Sequence, residues 1–208
     1  IALFIAALIL PYIFKDKLIT FLKEDINKSL LATIDFHDAS LSFIKSFPDV
    51  MVTIDSLSVI GQDQFDGIVL YKADKTSIDI SLSSLFGDNM VPKINDIELI
   101  RPEINIVAID ETTANYLITK DTTTSESSPF KLQLDHYSVE NGKISYQDNT
   151  MDLFMVMQNV SHEGNGDFTQ DIFDLRTTTH IDSMTVKFEG TKYISNALID
   201  LKADFNMN

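Results

Sequence analysis

From residue 33 onward, apolar positions recur with a period of two. Val50, Val52 and Ile54 set the pattern, and Ile78, Ile80 and Leu82 repeat it. So do Ile104 and Ile106, then Met151, Leu153, Met155 and Met157. Met184, Val186 and Phe188, followed by Ile199, Leu201, Ala203 and Phe205, close the series. Such alternation marks strands with one apolar and one wet face. Asn141-Gly142 lies between Tyr137-x-Val139 and Ile144-x-Tyr146 and predicts a hairpin turn, because both residues tolerate positive φ.

The strand pattern also repeats at longer range. Residues 54–59 read IDSLSV and residues 181–186 read IDSMTV. Residues 94–106, INDIELIRPEINI, align without gaps to 134–146, LDHYSVENGKISY, at an offset of 40, and residues 54–60 fall on the same grid. The shared unit is apolar-x-x-apolar-x-apolar, a turn at Arg101-Pro102 or Asn141-Gly142, then apolar-x-apolar. Its extra residue (Asp55-Ser56, Asn95-Asp96, Asp135-His136, Asp182-Ser183) reads as a β-bulge or a register switch between short strands. The expected body, residues 33–208, is therefore mainly β: an extended, twisted, mostly antiparallel sheet of repeated hairpins. Residues 119–129, TKDTTTSESSP, hold seven Ser or Thr in eleven positions and predict a flexible loop within it. Short helical stretches are expected at Thr112–Ile118, with Tyr116 and Leu117 tucked against the sheet, and at Ser83–Phe86.

Ahead of the body the period changes. Ile1 to Phe14 carries no charge. A spanning helix needs about 20 apolar residues, so residues 1–14 read as the C-terminal part of a transmembrane helix in a chain that begins further upstream. A secretory core segment and a buried core helix are the alternatives. Residues 15–32 predict an amphipathic helix, with Leu18, Leu22, Ile26 and Leu30 spaced by four. That helix packs against the start of the β body, lies at a membrane surface, or does both.

Charge separates the same two parts. The chain of 208 residues holds 16 Lys+Arg and 31 Asp+Glu, a net charge of −15. Residues 15–32 carry four Lys against three acids, so nearly all the negative charge sits in the body. Nucleic acid is excluded as the main partner, since neutralising phosphates requires clustered Lys and Arg. Hydrophobic residues make up 44% of the chain, enough to exclude disorder throughout. The absence of cysteine removes disulfides, thiolate metal sites and thiol nucleophiles.

Little catalytic chemistry remains, and no enzyme is expected. His37, His136, His162 and His180 stand singly, without the spacing of a metal site. Asp63, Asp66 and Gly67, and likewise Gly164-Asn165-Gly166-Asp167, read as plain turns rather than calcium loops. Asn27-Lys28-Ser29 and Asn159-Val160-Ser161 match the glycosylation sequon, a pattern common by chance. No cofactor or metal is implied.

What the strands offer is apolar surface, which something must cover. One expectation is a closed sandwich or barrel core. The other is an open groove that buries acyl chains, each CH₂ contributing roughly 0.8 kcal/mol. The groove's expected lining is Ile54, Leu57, Val59, Ile78, Ile80, Ile94, Ile97, Leu99, Ile104, Ile106, Leu134, Tyr137, Val139, Ile144 and Tyr146. Met151, Met155 and Met157 suit the same surface, being adaptable to irregular apolar partners.

Several of these features together resemble the N-terminal region of the AsmA-like proteins of double-membraned bacteria. They are the apolar opening ending at Phe14, the amphipathic helix after it, PKINDIELIRPEINIVAIDETTANYLI (92–118) and FKLQLDHYSVENGKISYQD (130–148). The resemblance implies a single-pass inner-membrane anchor with the β body in the periplasm. It also implies a part in outer-membrane biogenesis, similar in design to bridge-like lipid transfer proteins, with phospholipid as ligand and envelope proteins as possible partners. It brings no catalytic residue. At this length the chain corresponds to the membrane-proximal start of a longer bridge. The competing expectation is a non-enzymatic envelope scaffold or assembly factor with a closed β core.

Overall fold

The computed structural model describes residues 27–44, 46–47, 49–81, 93–120, 133–166 and 173–207, with 15–16, 19–20 and 23–24 ahead of them. The apolar opening 1–14, the expected turn at Ser83–Phe86 and residues 121–129 of the Ser/Thr loop lie outside these. Among the described residues of the helix expected over 15–32, the backbone is helical at 15–16, 19–20 and 23–24 and in the short turn α1 (Asn27–Ser29). Among the described residues no helix is long and apolar enough to cross a membrane.

The rest is a single mixed sheet of ten strands. In chain order these are β1 (Ala32–Asp35), β2 (Asp38–Ser42), β3 (Val50–Gly61), β4 (Val69–Ile80) and β5 (Lys93–Ile100). Then come β6 (Glu103–Ala108), β7 (Gln133–Asp148), β8 (Leu153–Asn165), β9 (Phe173–Phe188) and β10 (Thr191–Met207). The lateral order is β1-β3-β4-β5-β7-β8-β9-β10, with β2 beside β3 below β1, and β6 between β4 and β7 above β5. Pairing is antiparallel except where β5 and β6 run parallel to β7. The edges, β1/β2 and β10, do not pair with each other among the described residues, so the strands do not close into a barrel.

The 40-residue repeat turns out to be a pairing register. Ile94 lies against Leu134, Ile97 against Tyr137, Leu99 against Val139, Ile104 against Ile144 and Ile106 against Tyr146. The two segments are parallel neighbours, not successive hairpins. Asn141-Gly142 is correspondingly no hairpin turn: β7 runs through it unbroken, with its register against β8 shifting there. Parallel neighbours need a crossover. Ala108 ends at one end of the sheet and Gln133 begins at the other. Residues 54–60 do not share the register, because Ile54 aligns through Thr76 with Leu99.

A transverse crease crosses the strands. Ser56 in β3, Arg101 between β5 and β6, Asn141 in β7, Asn159 in β8 and Asn196 in β10 all have positive φ, between 49° and 55°. Asn accepts this left-handed backbone most readily of these, since its short polar side chain bonds locally. Polar contacts run along the line. Arg101 pairs with Asp74 at 2.6 Å, and Asn159 donates to Asp182 at 2.9 Å.

Other local expectations are corrected. Residues 112–118 form bends and an isolated bridge rather than a helix, and Tyr116 and Leu117 are 53% and 52% exposed. Fixed turn geometry replaces the helix: Thr113 closes on Asp110, and the buried Asn115 bonds Val107 and Asn105. Gly164-Asn165 ends β8 instead of forming a turn, while Met151 sits in the β7–β8 turn instead of a strand. Asp63–Phe65 is a 3-10 turn, with Gly67 at φ 72°, the plain turn expected there.

The packed core lies at one side of the sheet. Phe36, Ala39, Val52 and Ile54 are buried together, with Ile19, Ile34, Leu41, Leu57 and Ile80 against them. The N-terminal segment is tied over this part: Lys15 to Asp38 at 2.8 Å, Lys23 to Asp35 at 2.9 Å, and Asn27 to both backbone groups of Ile34.

Candidate functional site

Register and alternation place nearly all the apolar strand residues on one face. Beside the crease this face reads Ile54 then Leu57 in β3, Thr76 then Ala73 in β4, and Leu99 then Pro102 across β5 and β6. It continues as Val139 then Gly142 in β7, Val160 then Met157 in β8, and Ile181 then Met184 in β9. Each step spans three residues rather than two. The extra residue reverses the phase of alternation and keeps the apolar side chains on the same face on both sides of the crease.

The face is covered unevenly. Val52 and Ile54 are buried in the cluster that Ile19 of the chain's own N-terminal segment packs against, and Ile54 is only 5% exposed. Leu57 and Ile80 pack partly against that core, so the expected lining at Ile54 is sealed core and its neighbours are its border. Val59, Ile78, Ile94, Ile97, Leu99, Ile104, Ile106, Tyr137, Val139, Ile144 and Tyr146 are half-buried. The side chain of Leu134 lies outside the described residues, although its backbone pairs with Ile94.

The face extends further than the expected lining. Met155 and Met157 in β8, Met184 and Val186 in β9 and Ile199 in β10 continue it, all half-buried, and Leu201 is exposed. Their alternation was visible in the sequence; what was missing was their register with Ile144 and Tyr146. The extensive contacts of each strand with other strands are with its neighbours in the sheet.

A polar cluster around His162 interrupts this surface. His162 meets Thr179 through Nδ1 at 2.7 Å and the Tyr137 hydroxyl through Nε2 at 3.2 Å, with ring centroids of Tyr137 and His162 5.4 Å apart. Burial holds His162 below its ordinary value and pushes the Tyr137 phenol up. Gly164 lies directly under the Tyr137 ring, where any Cβ would collide with it. Burial likewise raises Tyr71, whose hydroxyl is 2.8 Å from Thr76.

The opposite face is charged. Lys72–Glu103 at 3.1 Å, Lys75–Glu98 at 2.9 Å and Lys93–Asp135 at 3.2 Å link neighbouring strands, and His136 meets Asp96. His180 lies between Asp200 at 2.6 Å and Asp182 at 2.9 Å, and the bond to Asp200, then that to Asp182, raises its pKa. Among the described residues no group of His, Asp and Glu has the geometry to hold a metal ion. Of the sequon asparagines, Asn27 uses its side chain to bond Lys23 and Ile34.

The arrangement separates a wide apolar face from a salt-bridged wet one. The chain matches no family model and no curated protein.

Proposed function

We propose that the apolar face of β5 to β10 binds lipid acyl chains, and that the protein is a membrane-anchored lipid-binding or lipid-transfer component of a bacterial envelope. One observation carries this reading: the face continues through the crease, and away from the N-terminal cover most of its large apolar side chains are half-buried, with Pro102, Val160 and Ile181 buried beside the crease. Acyl chains suit such a surface because hydrophobic burial is non-directional and needs no specific polar contact. Two methionines from β8 and one from β9 lend it adaptability. The apolar residues 1–14 serve as the inner-membrane anchor, with the acidic body in the periplasm and kept off anionic lipid by its charge. Phospholipid is the ligand in this reading, and the residues hold it non-covalently.

A photocrosslinking side chain at Ile104 or Val139, followed by mass spectrometry, tests it. Capture of lipid by the detergent-extracted protein is the expected result. Capture of neighbouring side chains alone would overturn it. That outcome favours the second reading, an envelope scaffold with a protein-covered core, which the sealed cluster at Phe36, Ala39, Val52 and Ile54 supports.

A further inference from the structure

The two edges of the sheet are built differently. At one edge β1 and β2 are four and five residues long, and the N-terminal segment is tied along them by Lys15 and Lys23. Asn27 takes both backbone groups of Ile34 there, so part of that edge already has its hydrogen-bond partners. Short, covered edges resist pairing with other chains. At the other edge β10 is 17 residues long and holds no proline. Its register against β9 shifts between Lys192 and Ile199, then runs from Ile199 to Met207 residue by residue. Among the described residues no strand lies on its outer side. Leu201 and Phe205, on that straight stretch, are 50% and 47% exposed.

A straight edge of this kind offers unpaired backbone donors and acceptors to a further strand. The side chains show which strand fits. Leu201-Lys202-Ala203-Asp204-Phe205 is complementary to its own reverse. Two copies paired antiparallel about a twofold axis at Ala203 bring Leu201 opposite Phe205 of the second copy, Lys202 opposite Asp204, and Ala203 opposite Ala203. Each unlike pair occurs twice, because a twofold contact uses the same patch on both copies. Leu201, Ala203 and Phe205 lie on the apolar face, in register with Thr179, Thr177 and Leu175, and Lys202 and Asp204 point to the wet one. Charge also selects the register. An axis at Lys202 would set Asp200 against Asp204 and Lys202 against itself, and like charges directly opposite are destabilising. An axis at Leu201 would set Leu198 against Asp204 and make Lys202 compete with His180 for Asp200.

We infer that β10 is a self-association edge, to which a second copy of this chain adds its own β10 antiparallel, centred on Ala203. The twofold axis stands normal to the sheet, so the apolar faces of both copies join on one side. Pairing of this kind is independent of what covers that face.

The full chain is studied in mild detergent at about 0.15 M salt, where charges more than about 8 Å apart are screened and the −15 on each copy opposes encounter least. Light scattering behind size exclusion should give the protein mass of two chains. The chain has no cysteine, so Ala203→Cys places a single thiol at the axis. Opposed residues of antiparallel strands have Cα atoms about 4.5–5.5 Å apart, within disulfide reach. Mild oxidation should therefore give a covalent dimer with Ala203→Cys and none with Thr191→Cys, far from the axis. Lys202→Glu should weaken dimerisation about tenfold, since two attractive pairs turn repulsive, and adding Asp204→Lys should restore it. Far-UV circular dichroism checks that each variant keeps its strands. A chain that stays monomeric overturns the inference. So does a dimer that Lys202→Glu leaves intact, one that Asp204→Lys does not restore, or one that oxidation traps at position 191 rather than 203.

Discussion

Truncating one residue in the covered part of the apolar face and one in the half-buried part separates a sealed core from a lipid surface. Ile54 sits between Ala39 and Thr76 inside the cluster with Phe36 and Val52, and is 5% exposed. Ile54→Ala removes packed atoms whose place the surroundings cannot fill, at a cost of about 2–5 kcal/mol. Ile104 is flanked by Tyr71 and Ile144 and is half-buried. If the face is open above it, Ile104→Ala loses two cross-strand pairs worth roughly 0.2–1 kcal/mol each, and opens no enclosed cavity. The expected cost is about 1 kcal/mol, so the two variants differ by about 2 kcal/mol, a factor of roughly 30 in the unfolding equilibrium. Urea unfolding of the detergent-solubilised chain measures both, provided the m-value is unchanged. A cost at Ile104 equal to that at Ile54 would mean that the face is sealed there, and would refute the acyl-binding surface. Ile104→Asp extends the test: on an open face its carboxylate keeps water, so the fold survives and lipid capture is lost.

Gly164→Ala should destabilise by about 1–3 kcal/mol, because the new Cβ meets the Tyr137 ring. The same change in a Tyr137→Ala background should cost clearly less, and a thermal-melt double-mutant cycle showing plain additivity would contradict the contact. Asn115→Ala should cost about 1–3 kcal/mol by orphaning the Val107 N–H, and should speed amide exchange in residues 107–118 first. Two histidines should titrate in opposite directions from the ordinary 6.5, His180 above it and His162 below it, as followed by NMR. For His180 the folded value is raised, so its stabilisation is complete below 6.5 and fades as pH rises through the folded value. For His162 the folded value is lowered, so its contribution is present above 6.5 and fades as pH falls through the folded value. Asp200→Asn should bring His180 back toward 6.5; an unmoved midpoint would exclude the Asp200 contact as the main cause.

The strand faces were legible because alternation is a local property: Ile104, Ile106, Ile144 and Tyr146 declare their side of the sheet without knowledge of their partners. The offset of 40 was legible too, yet its meaning was not. A repeat of similar strands fits a row of hairpins as well as a parallel pair, and only the path of the chain between the two segments decides. Asn141-Gly142 misled for a related reason. A left-handed residue followed by glycine is what a tight hairpin needs, but a bulge in a through-running strand needs it as well. Here Asn141 supplies φ 54°, and Gly142 leaves room for Val139 and Pro102, whose side-chain atoms would stand 2.8 and 3.3 Å from a Cβ. The burial of Ile54 was hidden in the same way, since the segment that covers it is far away in sequence and its ties, Lys15 to Asp38 and Lys23 to Asp35, follow no local pattern.

The crease accounts for the apolar-x-x-apolar steps at Ile54–Leu57 and Ile181–Met184, whereas those at Ile94–Ile97 and Leu134–Tyr137 lie before it in β5 and β7. A strand with strict period two carries one face along its whole length, and a single inserted residue would turn the remainder of that face toward water. A lone bulge in this sheet would therefore break the apolar surface. The steps from Ile54 to Leu57, Ala73 to Thr76, Leu99 to Pro102 and Val139 to Gly142 all insert that residue, and so do Met157 to Val160, Ile181 to Met184 and Ile194 to Ala197. From β3 to β7 and from β8 to β9 neighbouring strands make the step at the same level, so the register of apolar pairs resumes on the far side. The line shifts by one pair between β7 and β8, where the bulge moves from Asn141 to Asn159, and again between β9 and β10, where Ala197 pairs with Met184. Its cost is the left-handed backbone, held to Asn at three of five positions, and its polar groups are satisfied by Asp74 with Arg101 and Asp182 with Asn159.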